Sequence, residues 1–177
     1  MTWDNITLGQ FIQYSDIAKI EDPIQRAIQE AMIFDNLTPD EIDRLTMANI
    51  KEYQAKYVFL NIEPLPSKHL PNFEYNGNVF KVLPLINQME TRKYLDFVEL
   101  MKSCEDEEGN VDNDKVLGIY HNLIACFLIC EQLPYTNEAY SEAALTMPCT
   151  TALGVSAFFL TSLQDLLDHI LKEASEV

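Results

Sequence analysis

Apolar residues recur at intervals of three and four along most of this chain, and one segment, around Asn76-Gly77, breaks into alternation. The first spacing gathers side chains on one face of an α-helix; the second gathers them on one face of a strand. A chain patterned this way buries its apolar surface mainly by packing helices on one another. Glycine is scarce, at 5 of 177 residues, so few helical positions are weakened. The expected fold is mainly α: a helical domain of about six to eight helices with one short β-hairpin.

Local signals set the boundaries. Thr7 is placed to cap a first helix carrying Leu8, Phe11 and Ile12, with Ser15 and Asp16 at the same spacing. Asp22-Pro23 puts a carboxylate at an N-cap and a proline at the first helical position, where no amide is needed. That helix carries Ile24, Ala27, Ile28, Ala31 and Met32 on one stripe and stops near Asp35-Asn36. Thr38-Pro39-Asp40-Glu41 joins a capping box to a first-turn proline and starts a short helix to Leu45, followed by a longer one over 47–60. Pro64, Pro66 and Pro71 then interrupt any helix; the residue before each proline is pushed out of the α region, so 63–72 reads as an extended connector.

Asn76-Gly77 suits a type I′ turn, which makes 73–82 a hairpin. Two strands alone are marginal in water, so the hairpin must pack on the helices or pair with strands of another chain. Helices resume over 90–103, with Tyr94, Phe97, Val98 and Met101 on one face, and the acidic stretch 105–110 reads as a solvated loop. From Asp114 as a cap, 116–130 is apolar nearly all round, the pattern of a central helix. Leu133-Pro134 ends it, a short helix follows over 137–145, and after Met147-Pro148 a long one spans 151–172. The length fits one domain, 1–177, with a possible subdivision into a helical part, 1–62, and a hairpin with core helices, 72–177. A domain of this size buries roughly 70% of its unfolded surface and needs no metal or disulfide to fold.

Charge narrows the partners. Lys and Arg number 12 against 28 Asp and Glu, a formal charge of −16. Each phosphate contact needs a basic side chain to displace counterions, so neither nucleic acid nor an anionic membrane is an expected direct partner. The longest apolar run, 123–130, has eight residues, against the ~20 of a spanning helix, and a soluble protein is expected. Met1-Thr2-Trp3-Asp4-Asn5 lacks the features of a secretory signal, so Cys104, Cys126, Cys130 and Cys149 are expected as free thiols in a reducing cytoplasm.

Motifs for chemistry fail on inspection. With Gly109 at the sixth place of a calcium-binding EF-hand loop, Cys104 and Lys115 fall at the first and twelfth, where the ion needs carboxylates. His69, His121 and His169 have no zinc spacing, and no Cys-x₂-Cys pair exists. His121 and Cys126 are five residues apart, about 140° around one helix, and an apolar segment of an acidic chain does not activate a thiol. No phosphate-binding or nucleophile-elbow sequence occurs. The sequence therefore assigns no catalytic, cofactor-binding or metal-binding residue, and the chain reads as not an enzyme. Trp3 and the segment 61–71 are candidate contacts with a neighbour; the alternatives are packing of Trp3 on its own first helix and a plain surface crossover for the arm.

Several segments carry a resemblance. They are Ile6-Thr7-Leu8-Gly9-Gln10-Phe11-Ile12, the hairpin ending Phe80-Lys81-Val82, Lys93-Tyr94-Leu95-Asp96-Phe97, the stretch 121–130 and Leu153-Gly154-Val155-Ser156-Ala157-Phe158-Phe159-Leu160. With these, the chain resembles small acidic virion and tail-assembly proteins of tailed bacteriophages, especially crAss-like and other Bacteroides phages. The resemblance implies a non-catalytic structural or assembly role, as a tail or neck component or a tail-assembly chaperone, in the virion or host cytoplasm. Its implied partners are other phage structural proteins, with a homo-oligomer possible, and it transfers no site residue. The alternative function is an acidic regulatory module, such as a DNA mimic or host-takeover protein, whose carboxylates imitate phosphate spacing.

Overall fold

Side chains that accept backbone amides start most of the helices. The computed structural model of the protein describes residues 1–62, 64–66, 72–83 and 89–157. A 3₁₀ turn at Trp3–Asn5 leads into α1 (Leu8–Ile17), α2 (Pro23–Asp35), α3 (Pro39–Ile42) and α4 (Met47–Lys56), and a second 3₁₀ turn follows at Val58–Asn61. Thr7 caps α1 by accepting from the Gln10 amide at 3.2 Å. Asp22 Oδ1 accepts from the amides of Ile24 and Gln25, both at 2.8 Å. Thr38 and Thr46 form reciprocal capping boxes with Glu41 and Asn49. A cap of this kind is worth about 1 kcal/mol. Thr38→Ala is accordingly expected to destabilise the protein by about 1 kcal/mol, read as a lower urea midpoint with an unchanged slope.

The second half contains β1 (Phe73–Tyr75), β2 (Asn78–Val82), α5 (Thr91–Ser103), α6 (Asn113–Gly118), α7 (Tyr120–Cys126), β3 (Leu128–Ile129) and α8 (Asn137–Thr146). A further helix, α9, is described over 149–157. The architecture is a mainly α-helical domain with a small antiparallel sheet. Asn76 and Gly77 both have positive φ, at 50° and 75°, as a type I′ turn requires.

The hairpin is not left with two strands. Lys81 and Val82 of β2 pair with Ile129 and Leu128 of β3, giving the strand order β1-β2-β3. The ladder continues where the Leu83 amide donates to the Phe127 carbonyl at 2.8 Å. The single helix expected over 116–130 is therefore corrected to two helices and a strand. A segment buried on all sides has no period to separate helix from strand, and β2 offered an edge whose backbone groups needed partners. Asp112, not Asp114, caps α6, accepting from the amides of Asp114 and Lys115. The later part of the helix expected over 151–172 lies outside the described residues, as does most of the connector 63–72.

Two buried clusters hold the elements together. One gathers Leu8, Phe80, Ile124, Leu128, Tyr140, Met147 and Val155 among others; the second gathers Ile6, Ala31, Phe34, Tyr57, Leu60 and Cys149. Phe11 packs against both. The seam between them is a backbone bridge: the Leu8 amide donates to the Met147 carbonyl and the Cys149 amide to the Ile6 carbonyl, each at 2.8 Å. Near this seam α1 passes α8 so closely that a Cβ on Gly9 would stand 3.3 Å from the Leu145 carbonyl oxygen.

Candidate functional site

The face of α5 that turns inward carries a lysine. Lys93 shares the helical stripe of Phe97, Leu100, Met101 and Cys104, and it is 2% exposed, whereas Tyr94 is 52% exposed. The stripe expected from Tyr94 is thus rotated by one residue. Lys93 Nζ donates to the Leu128 carbonyl of β3 at 2.8 Å. It also lies over the rings of Tyr135 and Tyr140, 4.8 and 5.2 Å from their centroids, where the negative ring faces attract a cation. The two rings meet edge to face at 5.1 Å.

Each tyrosine is fixed by its hydroxyl. Tyr140 Oη donates to the Leu133 carbonyl at 2.9 Å, and Tyr135 Oη donates to Asp96 Oδ2 at 2.9 Å. Asn137 Nδ2 donates to Tyr135 Oη and to the Asn122 carbonyl, both at 3.3 Å. Cys126 Sγ lies 3.7 Å from Tyr135 Oη. The network joins α5, α7, β3 and α8 around a cavity of about 450 Å³ lined by Glu90, Lys93, Cys130, Glu131, Tyr135 and Tyr140, with neighbouring residues of the 129–134 segment.

Burial sets the electrostatics. It pushes the Lys93 ammonium below the ordinary lysine range, against the opposing pull of Glu90 and Cys126. It pushes the Tyr135 hydroxyl far above the usual value and the Cys126 and Cys149 thiols up to about 11. A thiol held protonated at neutral pH is a poor nucleophile. The thiol shifts also predict an alkaline weakness. Folded thiols that titrate near 11 instead of 9.0 stabilise the protein fully below pH 9 and lose that contribution as the pH rises toward 11. The raised tyrosines act in the same direction above pH 10, their ordinary value, while Lys93, with a lowered value, acts in the opposite one. Thermal melts are expected to show a falling midpoint between pH 9 and 11; a flat or rising midpoint would contradict this balance.

A separate aromatic cluster surrounds the N-terminus. The Trp3 ring meets Phe11, Tyr14 and Phe59 edge-on at 5.9, 6.0 and 5.6 Å. Trp3 Nε1 donates to the Ile62 carbonyl at 2.6 Å. Trp3 therefore packs on its own first helix and pins the start of the arm. Around that pin three apolar side chains are exposed: Val58 at 61%, Ile62 at 68% and Leu65 at 79%.

The remaining residues singled out from the sequence are dispersed. Cys104 is buried at the end of α5, and Lys115 stands on α6. Between them, residues 105–110 are all exposed. Asp106 Oδ1 accepts from the amides of Glu108 and Asn110 at 2.9 and 2.8 Å, and these bonds, the Asn110 one foremost, hold its carboxyl below the usual range. His121 and Cys126 share α7 but no hydrogen bond joins them; His121 Nδ1 is buried without a hydrogen-bond partner, and burial lowers its pKa. Cys130 Sγ is half-buried beside Gln132 Oε1 at 3.3 Å. His69 and His169 lie outside the described residues. Among the described residues, no three His, Cys, Asp or Glu side chains are grouped to hold a metal, and no helix is long and apolar enough to cross a membrane.

Sequence reasoning missed the Lys93 cluster. Its signal was the position of Lys93 four residues before Phe97 and eight before Met101, where a core side chain is due. Comparison of the chain with protein-family models, with curated proteins and with solved structures finds no match.

Proposed function

We propose that the protein is a non-enzymatic component of tailed-bacteriophage assembly that acts through protein–protein contact, as a tail or neck part of the virion or as a tail-assembly chaperone. The observation that carries the contact reading is the outward row Val58, Ile62 and Leu65. Burying one such side chain is worth about 1.5–3 kcal/mol, and here three within eight residues leave that gain unrealised. A partner surface that covers the row recovers it. The middle of the row is anchored, because Trp3 holds the Ile62 carbonyl, so Ile62 is presented with less ordering to pay for on binding. The phage assignment is supported by the sequence resemblance, and the partners it names are other phage structural proteins or further copies of this chain.

Mass spectrometry of purified particles and of assembly intermediates tests the proposal. A structural part is expected in particles at fixed copy number, and a chaperone only in intermediates. Absence from both would remove the phage-assembly reading.

One observation favours a second reading, an acidic regulatory module. Loop 105–110 is fully exposed, and the Asp106 bonds fix its backbone, so Glu105, Glu107 and Glu108 are displayed from a held turn. This reading expects salt-sensitive capture of a basic DNA-binding protein, lost when the three glutamates become glutamine. Capture that ignores the change would count against it.

A further inference from the structure

Lys93 stands out chemically because, among the described residues, its burial comes without an ion-paired carboxylate. Among the described residues, no carboxylate lies within ion-pair distance of Nζ. One carbonyl oxygen, of Leu128, accepts from it, and two ring faces cover it. An ammonium has three protons to satisfy; among the described residues this setting provides one oxygen acceptor and two ring faces. A neutral amine is also accommodated by this setting. It keeps one N–H on Leu128, leaves the other toward the rings, and has a lone pair free. The cavity it lines, about 450 Å³, falls within the usual range for small-molecule sites.

We propose that Lys93 is a covalent capture site, whose ε-amine condenses with the carbonyl carbon of a small aldehyde or ketone entering the 129–135 cavity. The amine lone pair forms the C–N bond while the carbonyl π pair moves onto oxygen, which takes up a proton and gives a carbinolamine. Loss of that oxygen as water, with loss of the second amine proton, leaves the imine. No electrons are gained or lost, and water is the only product released. Glu90 and Glu131 line the same cavity, and Glu90 acts electrostatically on Lys93; solvent entering the cavity exchanges the protons. The other titratable groups around the amine, among the described residues, are Tyr135 and Tyr140, Asp96 behind the Tyr135 hydroxyl, Cys126 of α7, and Cys130 in the cavity lining. Burial in an apolar, ring-lined setting is the established means of making a lysine nucleophilic near neutral pH, and the lowered pKa of Lys93 agrees with it. Capture of this kind needs no turnover and is independent of the exposed arm.

The test uses the full chain with benzaldehyde and sodium cyanoborohydride at pH 7, followed by digestion and mass spectrometry of each lysine. Lys19, whose side chain is 73% exposed, is the internal reference. A lowered pKa raises the neutral, nucleophilic fraction of an amine at pH 7, so Lys93 is expected to be modified faster than Lys19. In denaturing urea the two rates are expected to converge. Lys93→Arg keeps an N–H donor for the Leu128 carbonyl but has no nucleophilic amine, and is expected to lose the fast phase of adduct formation. Equal or slower modification of Lys93 in the folded protein overturns the proposal, as does a fast phase that survives in Lys93→Arg.

Discussion

Phe80→Ala is expected to remove about 3–5 kcal/mol of unfolding free energy. Phe80 is fully buried at the middle of β2. Its ring stacks on Phe73 across the hairpin at 5.4 Å and meets the edge of Tyr140 on α8 at 5.1 Å. One side chain therefore closes the hairpin and fastens it to the helices. Truncation loses the transfer energy of the ring and leaves a cavity between a strand pair and a helix, which cannot collapse without moving one of them. Domains of this kind are stable by about 5–15 kcal/mol in total, so the loss is a large part of the whole. The neighbouring residue supplies the control. Val79 is 38% exposed, and Val79→Ala is expected to cost under about 1 kcal/mol. Urea denaturation followed by circular dichroism reads both. If the two variants have the same midpoint, the sheet is an appendage and not part of the core.

What the sequence disclosed and what it hid follow from the same physics. Helix starts were legible because capping is local: Thr7, Asp22, Thr38 and Thr46 accept amides two or three residues away. The hairpin was legible because Asn76-Gly77 alone supplies two positive φ angles. The strand at Leu128–Ile129 was hidden, since its identity depends on β2, some fifty residues earlier in the chain, and a run buried on all sides looks the same as helix or strand. Lys93 was hidden for a related reason. A charged residue counts as surface when composition is read, and only Leu128, Tyr135 and Tyr140, all from other elements, make its burial tolerable. Trp3 shows the intermediate case. Its neighbours Phe11 and Tyr14 are close in sequence, but Phe59 and Ile62 are not.

Ile62→Asp combined with Leu65→Asp is expected to abolish partner association while leaving the fold intact. Both residues are largely exposed, at 68% and 79%, so the changes remove little packing, and the bond that Ile62 receives from Trp3 uses the backbone carbonyl and survives substitution. In a complex the effect reverses. An apolar anchor seated in a partner pocket contributes about 2 kcal/mol or more, and a carboxylate forced into the same pocket adds a desolvation cost. Two such positions together predict a fall in affinity of about a thousandfold. The thermal midpoint of the isolated variant is expected to stay within about 2 °C of the wild type, as for surface substitutions generally. Particle incorporation, or co-purification with assembly intermediates, reads the association. Glu105, Glu107 and Glu108 changed together to glutamine provide the opposing control, because the contact reading leaves them unused. Loss of association in the glutamine variant with retention in the aspartate variant would move the function from the apolar arm to the acidic loop. The reverse pattern assigns it to the surface that Trp3 holds in place.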